Sequence, residues 1–437
     1  MRDVPSYEFL FATWEGGGNV PPALTVARKL LQNGHRVRVM SDRCNRAEVE
    51  SIGAGFTPWH RAPSRQDKSA ATDILRDWEA STPREVFARL RDNLMCGPAL
   101  EYAFDVVEEI DRHRPDLVVS SEMLLGVMAA CEATRVPLVL LAANLSLFPI
   151  PGVPPFGAGL TPARTVAERQ LHQAIAASTH EMFSAGLPAV NRARRALGLP
   201  PVSDLLHQFR AADRLLLATS EIFDFPADHL PEQIRYVGPQ LDEVAWADPW
   251  VSPWQPEDER PLVLVAFSTT FQDQSATIQR VVDAVADLPV RTVVTLGPNL
   301  GEEAVRPGSE NIVVRRSVPH GAVMRNADLV VTHAGHGTVM RALSHRVPLL
   351  CMPMGRDQND NTARVVSYGA GLGLSPQAPI AEIRHAIGCL LEEPSFRRAA
   401  RRLGDAVAME MESSPVVPEL TTLAARAAHG RLETAAA

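Results

Sequence analysis

The strongest constraint on what this chain can fold into is an echo inside it. Residues 115–120 read PDLVVS and residues 327–332 read ADLVVT; residues 135–139 read RVPLV and residues 346–350 read RVPLL. Asp116 to Arg135 is 19 positions and Asp328 to Arg346 is 18, so each pair brackets a helix-length segment between two short apolar runs. Chance reuse of short apolar words is the alternative. The preferred reading is a strand–helix–strand unit written twice. It predicts an α/β protein of two tandem Rossmann-like domains with parallel sheets.

The rest of the chain fits that plan. Tyr7–Thr13 (YEFLFAT) reads as a first strand, followed by the glycine run Gly16–Gly18. Residues 20–33 read as a helix, with Leu24, Ala27, Leu30 and Leu31 at helical spacing. Pro21 and Pro22 sit in its first turn, where a missing N–H costs little. Gly34 stops it, and Arg36–Met40 is the next strand. Residues 60–95 look helical and polar, an excursion from the sheet. Residues 149–163 (PIPGVPPFGAGLTPA) form a loop long enough to be functional. Residues 239–261, rich in Pro, Trp and acids and without a period, have linker composition. The expected domains are therefore 1–238 and 262–412, joined by 239–261. A C-terminal helix and tail, 413–437, are free to cross back onto the first domain.

Composition narrows the partners. Of 437 residues 46% are hydrophobic, too many for a disordered chain, and the net charge of −8 disfavours nucleic acid. No run of 18 apolar residues could span a membrane, and the N-terminus lacks the pattern of a cleaved secretion signal. The five cysteines are scattered without zinc spacing. Reduced thiols in a cytoplasm, and no metal site, are expected.

Two stretches carry candidate chemistry. In VVTHAGHGTVMR (330–341) a strand ends at Thr332, and His333, Ala334, Gly335, His336, Gly337 and Thr338 lead into a helix. Small residues let the backbone approach a ligand, and the helix N-terminus favours an anion. The spacing is neither GxxxxGK[ST] nor GxGxxG, so a Walker site and a dinucleotide fingerprint are not supported. An ordinary strand–helix turn with a satisfied histidine explains the same local chemistry. After the next apolar run come Gly355, Arg356, Asp357, Gln358, Asn359, Asp360 and Asn361. Loops after neighbouring parallel strands line one crevice, where Asp357 and Gln358 suit a polyhydroxyl ligand. Asp is also a good helix cap, and both roles are compatible.

HAGHGT (333–338) followed by RVPLLCMPMGRDQNDNTARV (346–365) resembles the nucleotide-sugar signature of the family 1 glycosyltransferases. More narrowly, it resembles the bacterial branch that decorates macrolides, aromatic polyketides and other natural products. RRSVPHGAVMRNADLVVTHAG (315–335), AFSTTFQDQ (266–274), PGVPPFG (151–157) and GGGNVPPALTVARKLLQNGHRV (16–37) are similar to it too. The resemblance implies a GT-B fold: a C-terminal domain holding the activated sugar, an N-terminal domain holding the acceptor, and a cleft between them. By motif position His333 would contact the diphosphate. The amides of Gly335, His336, Gly337 and Thr338, with the Thr338 hydroxyl, would complete the cradle. Val318 would meet the base through its backbone, Ser268 and Thr269 would approach the phosphates or sugar, and Asp357 and Gln358 would hold sugar hydroxyls. The implied reaction is an inverting, metal-independent transfer of a hexose or deoxyhexose from TDP or UDP to an apolar acceptor. The nucleotide sugar is a co-substrate, there is no cofactor, and a second copy of the chain stays open as a partner.

One departure matters. The family's usual base is a histidine three positions before a proline, and alignment on Pro22 puts Asn19 there. The supporting aspartate position falls on Ser121, with Ser120 and Glu122 beside it. An amide is no general base near neutral pH. Three explanations stand. An acidic or intrinsically nucleophilic acceptor needs little help, and Asn19 orients it. Glu15 or Glu122 acts as base. Or the chain is a glycosyltransferase-like accessory protein without chemistry. His35 lies before the second strand, at the far end from the crevice, and offers no substitute.

Overall fold

The computed structural model describes residues 5–242, 250–268 and 270–436. It holds two wholly parallel sheets. The first contains β1 (Glu8–Ala12), β2 (Arg36–Ser41), β3 (Gly55–Pro58), β4 (Leu117–Ser121), β5 (Leu138–Ala142), β6 (Arg214–Leu217) and β7 (Ile234–Tyr236), in the order β3-β2-β1-β4-β5-β6-β7. The second contains β8 (Leu262–Ala266), β9 (Arg291–Thr295), β10 (Ile312–Arg315), β11 (Leu329–Thr332), β12 (Leu349–Cys351) and β13 (Gly371–Gly373), in the order β10-β9-β8-β11-β12-β13. Both are doubly wound, so each has a switch point beside its first strand, between β1 and β4 and between β8 and β11. Of the linker 239–261, residues 243–249 lie outside the described residues.

The echo has a structural cause. Asp116 takes the first N–H of β1 on its carboxylate (Glu8 N to Oδ2, 2.8 Å), and Asp328 does the same for β8 (Leu262 N to Oδ2, 2.8 Å). Each aspartate locks the start of a central strand whose edge amide would otherwise be orphaned. Arg135 and Arg346 end the two following helices in the left-handed region, with φ of 56° and 64°. Each is followed by Val-Pro, whose proline carbonyl accepts from Val118 in one sheet (3.0 Å) and Val330 in the other (3.1 Å).

Both faces of the central strands are covered, which is why β5 and β8 are apolar throughout and β4 is buried along its whole length, apolar up to Ser120 and Ser121 at its end. In the first sheet Leu10, Val118 and Leu140 pack in one core cluster. Phe9, Phe11 and Val119 pack on the other face with Val26 and Leu30 of the Val20–Gln32 helix. Val416, Leu420 and Ala424 of the last helix (Val416–Ala436) join that second cluster, so the C-terminus lies on the N-terminal sheet. No described helix is long and apolar enough to cross a membrane. The polar stretch 60–95 is less helical than its composition suggests. Two three-residue 3₁₀ turns precede the only α-helical part, Pro83–Leu90. Side-chain bonds replace the helix ladder there: Asp105 accepts from the amides of His60, Arg61 and Ala62, and Arg65 donates to the Ser69 carbonyl.

Candidate active site

The loops after β1, β4, β8, β11 and β12 meet across the two sheets. Immediately after β11 the His333 ring is buried, its Nδ1 3.3 Å from the Thr332 hydroxyl and its face stacked towards Phe267. A Cβ on Gly335 would stand 2.4 Å from His333 Nε2, so the imidazole itself requires glycine there. Burial, reinforced by the charge of Arg356, pulls His333 down to about 3. The ring is therefore neutral at working pH, and its one N–H faces the Ala266 carbonyl. Among the described residues no side chain caps the His336–Ser344 helix, and a Cβ on Gly337 would meet nothing within 4 Å. Gly337 borders open space at the positive end of the helix, a suitable place for an anion.

Not every motif residue points the same way. The His336 side chain turns inward, Nδ1 3.2 Å from Asn361 Oδ1 and the ring edge on Phe223. Only its backbone is available to the turn. Asn361 also donates to the Ala334 carbonyl (3.0 Å) and to Asp357 Oδ2 (2.9 Å), tying the two motif loops together. Gln358, only 2% exposed, accepts from Met354 N and donates to Gln272 Oε1. Ser268 Oγ lies 3.0 Å from Thr270 Oγ1, and Val318 is buried in the core beneath the loops. Thr269 lies outside the described residues.

On the N-terminal side, Asn19, Ser120 and Ser121 line one small cavity of about 10 Å³. The two positions of the absent dyad are thus neighbours in space. Asn19 Nδ2 donates to the Trp14 carbonyl at 2.7 Å, so its amide is held by its own loop. Glu15 is spent on that loop as well: Oε1 accepts from Gly17 N at 2.8 Å, and Oε2 lies 3.4 Å from Lys68 Nζ. Glu122 is different. It is 4% exposed, and burial pushes its carboxyl up to about 7, only partly offset by hydrogen bonds including one from Ser121. An acid raised in the folded state contributes stability below its unfolded value, near 4.5, that is lost as pH rises towards 7. Glu122→Gln is therefore expected to match the wild type below about pH 4 and to melt higher at pH 8, by up to about 3 kcal/mol of stability. Identical pH dependence of the two melting curves would show that the carboxyl is not desolvated.

Two groups that sequence reasoning passed over close the cleft. Arg356, with φ of 57°, donates bidentately to Asp77 (2.6 and 3.0 Å) and to Thr270 Oγ1 (3.0 Å). The pair is 279 residues apart in sequence, and its side chains are only 22% and 9% exposed. Next to it Trp78 meets Phe271 edge-on, with ring centroids 5.1 Å apart. Beyond lies a cavity of about 190 Å³ lined by apolar side chains such as Leu125, Phe148, Phe156, Phe183 and Phe209, with Asp360 and Arg364 of the second domain at its edge. The Val166–Ser184 helix supplies one wall and buries no residue fully.

Comparisons with known proteins bear on the fold and on the class of protein the chain is similar to. Residues 279–423 match the erythromycin biosynthesis protein CIII-like C-terminal domain. The chain is 29% identical over 404 residues to 4'-demethylrebeccamycin synthase of Lentzea aerocolonigenes, covering 91% of this chain and 94% of the relative. It is 26% identical over 390 residues to demethyllactenocin mycarosyltransferase of Streptomyces fradiae, covering 84% and 75%. The crystal structure of the kitacinnamycin glycosyltransferase superposes with a TM-score of 0.70 at 19% identity, covering 95% of this chain and 98% of that one.

Proposed function

We propose, for a chain that is a GT-B glycosyltransferase of the natural-product tailoring type, that it moves a hexose or deoxyhexose from TDP or UDP to a largely apolar acceptor, with inversion. The observation that carries this reading is the juxtaposition of the anion-ready turn at His333–Gly337 with an apolar cavity of about 190 Å³ across the cleft. The acceptor lies in that cavity and the diphosphate on the turn. In one in-line displacement the acceptor oxygen bonds to the anomeric carbon as the bond from that carbon to the diphosphate oxygen breaks, and the nucleoside diphosphate leaves. His333 donates to the departing diphosphate by exchanging the bond its one N–H makes to the Ala266 carbonyl, and the helix terminus offsets the diphosphate charge, the role a metal ion fills elsewhere. The acceptor oxygen is a phenol or enol that supplies its own ionisation, since Asn19 is bonded to Trp14 O and Glu15 to Gly17 N.

For Gln358 to hold a sugar hydroxyl, a bond from the sugar must replace the one it now donates to Gln272. Asp357 keeps one oxygen on Asn361 and has the other to offer. The test is His333→Ala. It removes a donor to a charged acceptor, a bond worth about 1.5–3 kcal/mol, so TDP and UDP are expected to bind roughly 10- to 150-fold more weakly by calorimetry. An unchanged dissociation constant for both nucleotides would remove His333 from the donor site.

A further inference from the structure

We propose that Asp360 is a positioning residue through which the donor loop sets the shape of the acceptor pocket; the inference rests on the donor and acceptor sites proposed above. The Gln358–Ser367 helix begins at the sugar motif, and Asp360 is its third residue, 3% exposed. Its two oxygens reach across the cleft to two backbone amides. Oδ2 accepts from Gly157 N at 2.5 Å and Oδ1 from Gly159 N at 2.8 Å. Both glycines have positive φ, 94° and 64°, conformations that other residues adopt only under strain. A Cβ on Gly159 would also stand 3.0 Å from Asn359 Cβ. The loop tip is therefore shaped to present its N–H groups to this one carboxylate.

The same loop builds the pocket: Pro149, Ile150, Val153, Pro154, Pro155 and Phe156 line the cavity. The helix holds the N-terminal domain along one stripe. Four residues after Asp360, Arg364 donates to Asp224 at 2.6 and 3.0 Å. Four further on, Tyr368 donates to the Asp224 carbonyl at 2.9 Å. Another side of the helix holds the donor turn through Asn361, which donates to the Ala334 carbonyl and lies 3.2 Å from His336 Nδ1. A sugar that settles the first turn thus also settles the acceptor loop, with no side chain touching both substrates. The coupling is reciprocal: whatever donor binding contributes to acceptor affinity, acceptor binding contributes to donor affinity.

Asparagine cannot replace the carboxylate, because its NH₂ would face one of the two loop N–H groups. Hydrogen exchange read by mass spectrometry, on the full chain, gives the test with TDP-glucose and UDP-glucose as probes. Without ligand, Asp360→Asn should speed exchange in the 149–163 loop at least tenfold. With donor, the wild type should gain protection at 333–338 and at 149–163 together, and Asp360→Asn at 333–338 only. Equal loop exchange in variant and wild type overturns the clamp. Donor protection at 333–338 with no change in the wild-type loop overturns the coupling and leaves the donor site standing. No protection at 333–338 with either probe overturns the donor-site reading, and the coupling with it. Gly159→Ala, which keeps the carboxylate but crowds the turn, should loosen the loop in the same way if Asp360→Asn fails to fold. In turnover the signature is a split: acceptor KM at least tenfold higher, with TDP affinity moved less than twofold.

Discussion

Asn19→His and Ser121→Asp introduced together are expected to open the enzyme to ordinary alcohols, with a gain of about 10²–10⁴ in kcat/KM. The wild type lacks a base at the place where the family keeps one, yet both positions line the same cavity. An imidazole at 19 needs a carboxylate at 121 to fix its tautomer, so either single change should gain far less than the pair. Phenolic acceptors should gain little, because they ionise without help. The pH profiles separate the cases. In the wild type the rising limb should follow the acceptor, near pH 10 for a simple phenol and lower for an acidified one. In the double variant it should stay near the imidazole value of about 6.5 whichever acceptor is used. A wild-type limb fixed near 7 for every acceptor would overturn this reading and make Glu122, whose carboxyl is pushed up to about 7, the base. Glu122→Gln would then lose a factor of the same size.

Asp77→Ala is the second large expected effect. It leaves Arg356 without its carboxylate in a mostly buried place, and stranding a buried charge costs about 3–5 kcal/mol. With the guanidinium 22% exposed, the lower end applies. The protein can avoid that cost by opening the cleft and letting water reach the guanidinium. Opening separates Trp78 from Phe271 and the glycine loop from the sugar motif. A fall in kcat/KM of about 10²-fold is expected, together with a larger radius of gyration by small-angle scattering. Asp77→Ala combined with Arg356→Ala should restore the closed radius, because no charge is then left uncompensated. A closed radius for Asp77→Ala alone would mean that the aromatic contact holds the domains without the ion pair.

Local physics carried much of this protein into its sequence. The doubled strand–helix–strand words were readable because parallel strands buried on both faces must be apolar throughout, and because the same aspartate and the same Arg-Val-Pro corner recur where each unit starts and turns. The His333–Thr338 turn was readable because backbone approach to an anion demands small residues before a helix N-terminus. The vacancy at Asn19 and Ser121 could be read only through the family resemblance, which places a histidine and an aspartate at those two positions.

Only the tertiary structure decided which motif side chains serve the cleft. His336 and Gln358 stand in the motif beside His333 and Asp357, yet they turn to Asn361 and Gln272, because helix rotation and packing, not sequence position, set their direction. The polar stretch 60–95 carries helical composition, but its Asp and Arg side chains bond backbone groups locally and leave mostly turns, so Asp77 has no signature in the chain. Arg356 finds Asp77 279 residues away, and Asp360 finds Gly157 and Gly159 two hundred residues before it. Such partners leave no periodic trace, for a cross-domain bond needs one residue on each side and nothing between. The sequence thus determined two sheets and a small-residue turn that opens onto a helix N-terminus. The apposition of the domains decided which charges would be buried together, and hence what holds the cleft closed.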